Sequence, residues 1–412
     1  MTQLKTIQVE FLGDWRDVWL YKNRVLLWDR SGKMLYADVD AVQKYIVRSH
    51  GPSIAALTHT LIFRNDWKAG DQLRIILRAP AAEAAFLQPF SNTNQVKIVL
   101  PSTLLRSSEV EEYGGPVLDT CIYANRVYFA TPDGLLETYF HPKYPDRGYS
   151  LNQQTDFRVS RLAVRYAAIN AAAESAGLFF ARVQFSDVEE SAPGFRQASF
   201  RKIADYSLAI SHASRNLLNY TGASVPSLYR AQTEEATNRP SLQFEEQQVV
   251  GYEAAADLKK LTYRTLRQST KVSLADASEA DVPEDDEAVE VLGNSNYHLL
   301  SSWRDHLRVI DIMAYAERDI EARPSIAYAG AAHVNINPKE ILETYSINGG
   351  FVVELDESLH LITPDGGHML LDEPVARVRT FSGSRRHKEA LAVVQEESAS
   401  LLGFYKASEV LF

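Results

Sequence analysis

Cysteine is nearly absent: Cys121 is the only one in 412 residues. An intramolecular disulfide and a cysteine-based zinc site are therefore excluded, and the count fits a reducing compartment. No apolar run approaches the roughly 18 residues that would span a bilayer. Residues 1–10 also lack the apolar stretch of a secretion signal. These absences predict a soluble, cytoplasmic chain that does not partner a membrane. The ten histidines are scattered and form no His-Glu-x-x-His pair. A phosphate loop, a Gly-x-Gly-x-x-Gly turn and a Gly-x-Ser-x-Gly elbow are missing as well. The sequence thus nominates no catalytic residue, no metal ligand and no cofactor. Positive charge is short too: 43 Lys+Arg stand against 53 Asp+Glu, for a net charge of −10. A field of that sign repels phosphate, which argues against the whole chain binding nucleic acid or an anionic surface.

What is present is repetition. Tyr21-Lys22-Asn23-Arg24-Val25 leads into an apolar run and then Gly32, and Tyr123-Ala124-Asn125-Arg126-Val127 leads likewise to Gly134. Tyr166 and Gly177 keep the same eleven-residue interval. Thr131-Pro132-Asp133-Gly134 recurs as Thr363-Pro364-Asp365-Gly366. A Pro-Asp-Gly run between apolar segments is a reversal, because proline presets φ and glycine tolerates the positive φ a tight turn demands. The pattern predicts β-hairpins with turns near 32, 134, 177, 216, 306, 366 and 400. Two intervals, of 102 and 90 residues, exceed the rest; one degenerate hairpin in each would restore a unit near 45 residues.

Some segments compete. Residues 166–176 are alanine-rich and would suit a helix, but their phase with the hairpins favours a strand pair. Residues 38–49 read as a short helix that an aspartate can cap. Residues 39–115 fit the repeat poorly and are expected to hold an inserted element. Residues 276–290 carry eight acids and no Lys or Arg. Such a run cannot bury itself, so 275–292 is expected to be an acidic surface loop. Asp285, Asp286 and Glu287 within it are candidate contacts for a basic partner. Arg377, Arg379, Arg385, Arg386 and Lys388 form the complementary basic cluster and are candidate contacts for an acidic one.

Repeated four-stranded units with Ser-Gly and Pro-Asp-Gly turns resemble the β-propeller superfamily. They carry neither the Gly-His…Trp-Asp pair of the WD repeat nor a kelch double glycine. The resemblance implies an all-β chain, one domain over 1–412, with about seven four-stranded blades in a ring and short helical insertions. Each small sheet has two apolar faces, and stacking the sheets radially buries both. An N-terminal strand near 7–12 is expected to complete the last blade. The function implied is a non-catalytic scaffold for one or more protein partners within a larger assembly. The alternatives are an enzyme or ligand binder using the central channel, and association with nucleic acid through the 377–388 cluster.

Overall fold

The computed structural model describes residues 4–64, 79–141, 144, 148–183, 198–213, 215–223, 226–235, 247–255, 290–295, 298–303, 306–312, 326–328, 336–348, 350–363, 366–384 and 386–405. Within them lie seven sheets, successive along the chain. The N-terminal strand β1 (Lys5–Leu12) belongs to the last of these. The first sheet holds β2 (Trp15–Tyr21), β3 (Arg24–Asp29), β4 (Met34–Asp38) and, beyond the intervening β5 (Gln95–Leu100), β6 (Arg106–Ser107). The second is β7 (Asp119–Tyr123), β8 (Arg126–Thr131), β9 (Gly134–Tyr139) and β10 (Asn152–Gln153). The third is β11 (Arg161–Arg165), β12 (Ala168–Ala172), β13 (Leu178–Arg182) and β14 (Arg201–Ala204). The fourth is β15 (Ala209–Ala213), β16 (Asn216–Tyr220), β17 (Ser227–Glu235) and β18 (Gln247–Ala255). The fifth is β19 (Glu290–Asn294), β20 (His298–Trp303), β21 (His306–Ile312) and β22 (Ile326–Tyr328). The sixth is β23 (Glu343–Ile347), β24 (Gly350–Glu354), β25 (Leu359–Thr363) and β26 (Gly366–Leu371). The seventh runs β27 (Arg377–Thr380), β28 (Leu391–Val394), β29 (Ser398–Tyr405), β1, β5.

This is a β-propeller. From the second sheet to the seventh, the first strands pack successively against one another, and β2 packs on β27 and β28, joining the first sheet to the last. Antiparallel pairing of β1 with β29, from Lys5↔Tyr405 to Leu12↔Ser398, ties the chain's beginning to its end. The alanine-rich segment is strand β12. All five of its residues are buried, since alanine lets two sheets approach closely. Its one polar residue, Asn170, donates to the Ala163 carbonyl at 3.1 Å. Packing between sheets overrides the helix preference of alanine here.

The repeated Tyr-x-Asn-Arg-Val is itself a turn. Lys22 and Asn23 both have positive φ, of 41° and 67°, as do Ala124 and Asn125 at 50° and 65°. Two consecutive positive values make the two-residue hairpin that matches strand twist. The tyrosine links sheets: the Tyr21 hydroxyl accepts the Asn125 N–H at 2.7 Å, and the Tyr123 hydroxyl accepts the Ala167 N–H at 2.9 Å. Each hydroxyl satisfies the strained turn of the next blade.

The pacing of turns differs from the single repeat expected. The turns near 32, 134, 177 and 306 join second to third strands, the one near 216 joins a first to a second, and the one near 366 a third to a fourth; Ser398–Ser400, expected as a turn, opens β29, and the reversal before it lies at 395–397. Among its described residues, the part of the 102-residue interval between β4 and β6 holds helices and β5 in place of a degenerate hairpin. That part, 39–105, is an insertion. The 90-residue interval contains β17, β18 and residues 256–289, which lie outside the described residues.

The insertion opens with α1 (Val39–His50), capped by Asp38, whose side chain accepts the Asp40 N–H. Val39, Val42 and Ile46 form its buried face. After α2 (Pro52–Thr58), a wide helical turn at His59–Phe63 lies on β29. Leu57, Leu61, Ile62 and Phe63 there are at most 1% exposed, and each such burial stabilises by about 1.5–3 kcal/mol. The fit needs Gly403, where a Cβ would sit 2.5 Å from the Leu61 carbonyl oxygen. Helix α3 (Pro80–Leu87) follows, and Phe86 meets Tyr405 edge-on at 5.7 Å. Strand β5 then pairs parallel with β1 as a fifth strand. The insertion of the first blade thereby clasps the sheet where the chain ends meet. No helix among the described residues is long and apolar enough to cross a membrane.

Candidate functional site: the central channel and its mouths

The innermost strands all begin at one end of the channel, the entry end, and turn back at the other, the exit end. Near the entry end, side chains from several sheets meet. Arg377 and Arg379 alternate with Val378, which is buried between the last two sheets among Leu391, Leu402 and Phe404. The alternation of an inner strand thus aims both arginines inward. Arg379 donates to both carboxylate oxygens of Asp17, through Nε at 3.0 Å and Nη2 at 2.8 Å, and to Asp119 at 2.5 Å. It therefore bridges the seventh blade to the first and second. Arg377 donates to the Val117 carbonyl at 3.0 Å and to Asp17 at 3.4 Å. Asp119 accepts the Leu162 N–H at 2.9 Å, extending the network to the third blade.

From the third blade, Arg161 pairs with Glu343 of the sixth at 2.7 Å. Beside it the Tyr345 hydroxyl donates to Glu354 at 2.5 Å and lies 3.2 Å from Glu343. Burial pushes the Asp17 carboxyl up, but the Arg379 guanidinium and its hydrogen bonds outweigh this and hold it below the usual range. Arg379 is likewise desolvated, yet Asp17 and Asp119 raise it above its ordinary value. Glu354 is raised, first by burial and then by Glu343.

The exit end is built differently. Arg165 ends β11, and its guanidinium lies over the Tyr166 ring at 4.5 Å. The long turn between β27 and β28, residues 381–390, crosses from the seventh blade to meet it: a Cβ on Gly383 would lie 3.3 Å from Arg165 Nε. That turn is pinned. The Ser384 N–H donates to the Phe381 carbonyl at 2.7 Å, and the Ser384 hydroxyl accepts the Arg386 and His387 N–H groups at 3.3 and 3.2 Å. Phe381 stacks edge-on against Trp19 at 5.5 Å, and the buried His387 ring reaches the Ile62 carbonyl of the insertion at 3.4 Å. Lys388 is half-buried, its carbonyl accepting the Asn348 N–H of the sixth blade at 3.2 Å, while Arg386 is exposed. Near Arg165, the Tyr166 ring meets His212 edge-on at 6.0 Å. Burial, and then Arg165, push that imidazole down to about 3, so it is neutral.

The basic cluster expected at 377–388 is therefore split. Arg377 and Arg379 are inner-strand residues bonded inside the molecule, whereas Arg386 and Lys388 sit at the exit mouth. Arg385 lies outside the described residues. Of the acidic loop expected at 275–292, residues 290–292 belong to β19. The rest, with Asp285, Asp286 and Glu287, lies outside the described residues. The pairing of Arg379 with Asp17 and Asp119 escaped the sequence reading because the partners lie 362 and 260 positions away. The signal that was legible is Arg377-Val378-Arg379 preceding a buried Leu-Ala-Val-Val strand: that alternation marks a strand and not a loop.

No family model matches the chain, and no curated protein matches it. Among solved structures it is similar to the WD40 β-propeller domain of Doa1, at 10% identity and a TM-score of 0.39, over 97% of this chain and 94% of that one. It is similar to the β-propeller domain of Cps50 (Swd1) from Myceliophteria thermophila, at 8% and 0.44, over 95% and 96%. It is also similar to the N-terminal domain of Nup159, at 10% and 0.43, over 98% and 96%.

Proposed function

We propose that the protein is a non-catalytic interaction scaffold, a propeller subunit of a larger cytoplasmic assembly. The observation that carries this reading is the commitment of several described inner-strand charges to one another. Arg379 is shared by Asp17 and Asp119, and Arg161 is held by Glu343 across the ring. A channel that binds and transforms a small molecule keeps polar groups convergent on the ligand. Here those groups join blades, which makes the ring a rigid support for its two faces. At the entry face, Tyr206 and Leu208 before β15 and Leu342 before β23 are exposed, Leu342 at 63%. Such side chains suit the anchors of a protein interface.

The test is purification of the tagged full chain from its native host, followed by gel filtration and native mass spectrometry. A defined complex of fixed stoichiometry is expected. A chain that elutes alone, with neither partner nor self-association, overturns the reading.

A further inference from the structure

The seventh sheet has one strand more than the sixth. Counted from the inner strands outward, the seventh runs β27, β28, β29, β1, β5 and the sixth runs β23, β24, β25, β26. The two sheets stack: Leu402, Phe404 and Leu4 of the seventh pack with Leu361, Leu370 and Leu371 of the sixth. Gln8 and Thr6 of β1 pair with Leu402 and Phe404 and so share that face. Thr6, Gln8 and Glu10 are buried there although they are polar. On β5 their partners are Gln95, Lys97 and Val99, and these are exposed. The opposite face of β5, with Ile98 and Leu100, lies in the core shared with the insertion. Among the described residues one difference accounts for this contrast. Strand β26 covers the face of β1, and the sixth sheet has no fifth strand to cover β5.

The result is a slot, floored by β5 and bounded by the outer edge of β26. Leu12, 58% exposed, lies on the floor's face diagonal to Val99, which is 43% exposed. Met369 of β26 pairs with His360, one position from Leu361, so it lies on the opposite face of its strand; it is 55% exposed.

We infer that the slot receives an extended strand of a protein partner, hydrogen-bonded to the edge of β26 and stacked on β5. The inference rests on the scaffold reading and names the form its partner takes. A strand about 4.8 Å beyond β26 extends the sixth sheet as β5 extends the seventh, and the usual spacing of about 10 Å between stacked sheets brings its side chains onto β5. Main-chain bonds to an open edge supply affinity, and alternate side chains supply specificity. On one face the incoming strand needs apolar residues against Leu12 and Val99. It needs an acid near Lys97, whose side chain is 48% exposed while bonded to Glu10 at 2.9 Å. On its other face it needs an apolar residue near Met369. A second copy of the chain fits poorly. Its β26 is already covered by its own β1, and its β5 would set Lys97 against Lys97.

The probe is a fluorescent heptapeptide, Val-Thr-Val-Val-Glu-Thr-Thr. Running antiparallel to β26, it sets its first and third valines against Leu12 and Val99, its glutamate against Lys97 and its fourth residue on the face of Met369. Anisotropy against the full chain should show saturable binding, weakened about tenfold or more in V99K/M369K. L342K, at the entry face, should leave binding unchanged. The same peptide N-methylated at its third and fourth amides should not bind, because it keeps the side chains and loses the ladder. Bound peptide should slow hydrogen exchange in β26. It should also slow oxidation of Met369 by hydrogen peroxide, which is fast in the free chain. Unchanged thermal midpoints show that the variants, all at exposed positions, remain folded. Four results would each overturn the inference. The peptide does not bind; or V99K/M369K or the N-methylated peptide binds as well; or Met369 is already slow to oxidise in the free chain, which then fills the slot itself; or gel filtration shows a dimer that V99K/M369K dissociates, making a second copy the occupant. If the native complex forms equally well with V99K/M369K, the slot fails while the scaffold survives. If the peptide binds but the parent forms no native complex, it is the scaffold that fails.

Discussion

Replacing Arg379 by methionine tests the physical core of the channel. The residue donates to two carboxylates that have left water: Asp17, whose side chain is 2% exposed, and Asp119, at 9%. Methionine fills much of the volume of the aliphatic stem but leaves Asp119 without that cation and Asp17 with Arg377 at 3.4 Å in its place. Breaking a buried ion pair from one side costs about 3–5 kcal/mol. Losing the cation held 5.8 Å from the Trp19 ring adds about 0.5–1 kcal/mol. Against a typical total of about 5–15 kcal/mol, the variant should unfold at a much lower denaturant concentration. Urea unfolding followed by tryptophan fluorescence measures this, and Trp19 beside the guanidinium reports locally.

The pH dependence supplies a second, sharper readout. In the parent the folded Asp17 carboxyl lies below its unfolded value. Its contribution is present above the unfolded value of about 3.9 and is lost as pH falls through the folded one. Without Arg379, burial is opposed only by the more distant Arg377 and by Thr120, and the carboxyl moves up. The variant is then worst at neutral pH, and its deficit shrinks as pH falls toward about 4. Adding Asp17→Asn removes one of the under-compensated charges, and a coupling of about 0.5–3 kcal/mol should be recovered. A loss below about 1 kcal/mol, or a deficit that does not change with pH, would refute the reasoning.

Tyr21→Phe should cost about 1–2 kcal/mol, because it leaves the Asn125 N–H of the next blade without its acceptor. Faster hydrogen exchange at the Asn125 amide would locate the loss there, and an unchanged thermal midpoint would contradict it. Burial pushes the Cys121 thiol up to about 12. Iodoacetamide at about pH 8 should therefore label the native chain far more slowly than the unfolded one, and equal rates would contradict this.

The strands and many of their turns were legible because each is written locally, whereas the joining of the chain's two ends was expected only through the resemblance to a ring. Gly32 takes φ of 93°, and Ile7, Val9 and Phe11 alternate with polar partners along β1, whereas the turns at Asn23 and Asn125, inside segments read as strand, were not expected. The glycine turn and the alternation depend on a residue and its near neighbours, so the sequence carries them. The insertion was visible only as a misfit: its helices follow from the Asp38 cap and the apolar stripe of α1, but the parallel pairing of β5 with β1 spans about ninety positions, as Thr6↔Gln95 shows.

The fate of the charges was beyond sequence reading altogether. Arg379 and Arg386 are seven positions apart in one basic run, yet one lies buried against two aspartates and the other faces solvent at the opposite mouth. Whether an arginine is neutralised inside or displayed outside depends on which distant carboxylate the closed ring brings within a few ångströms. Coulombic partnership depends on distance in space, and until the ring closes no spacing in the chain fixes that distance.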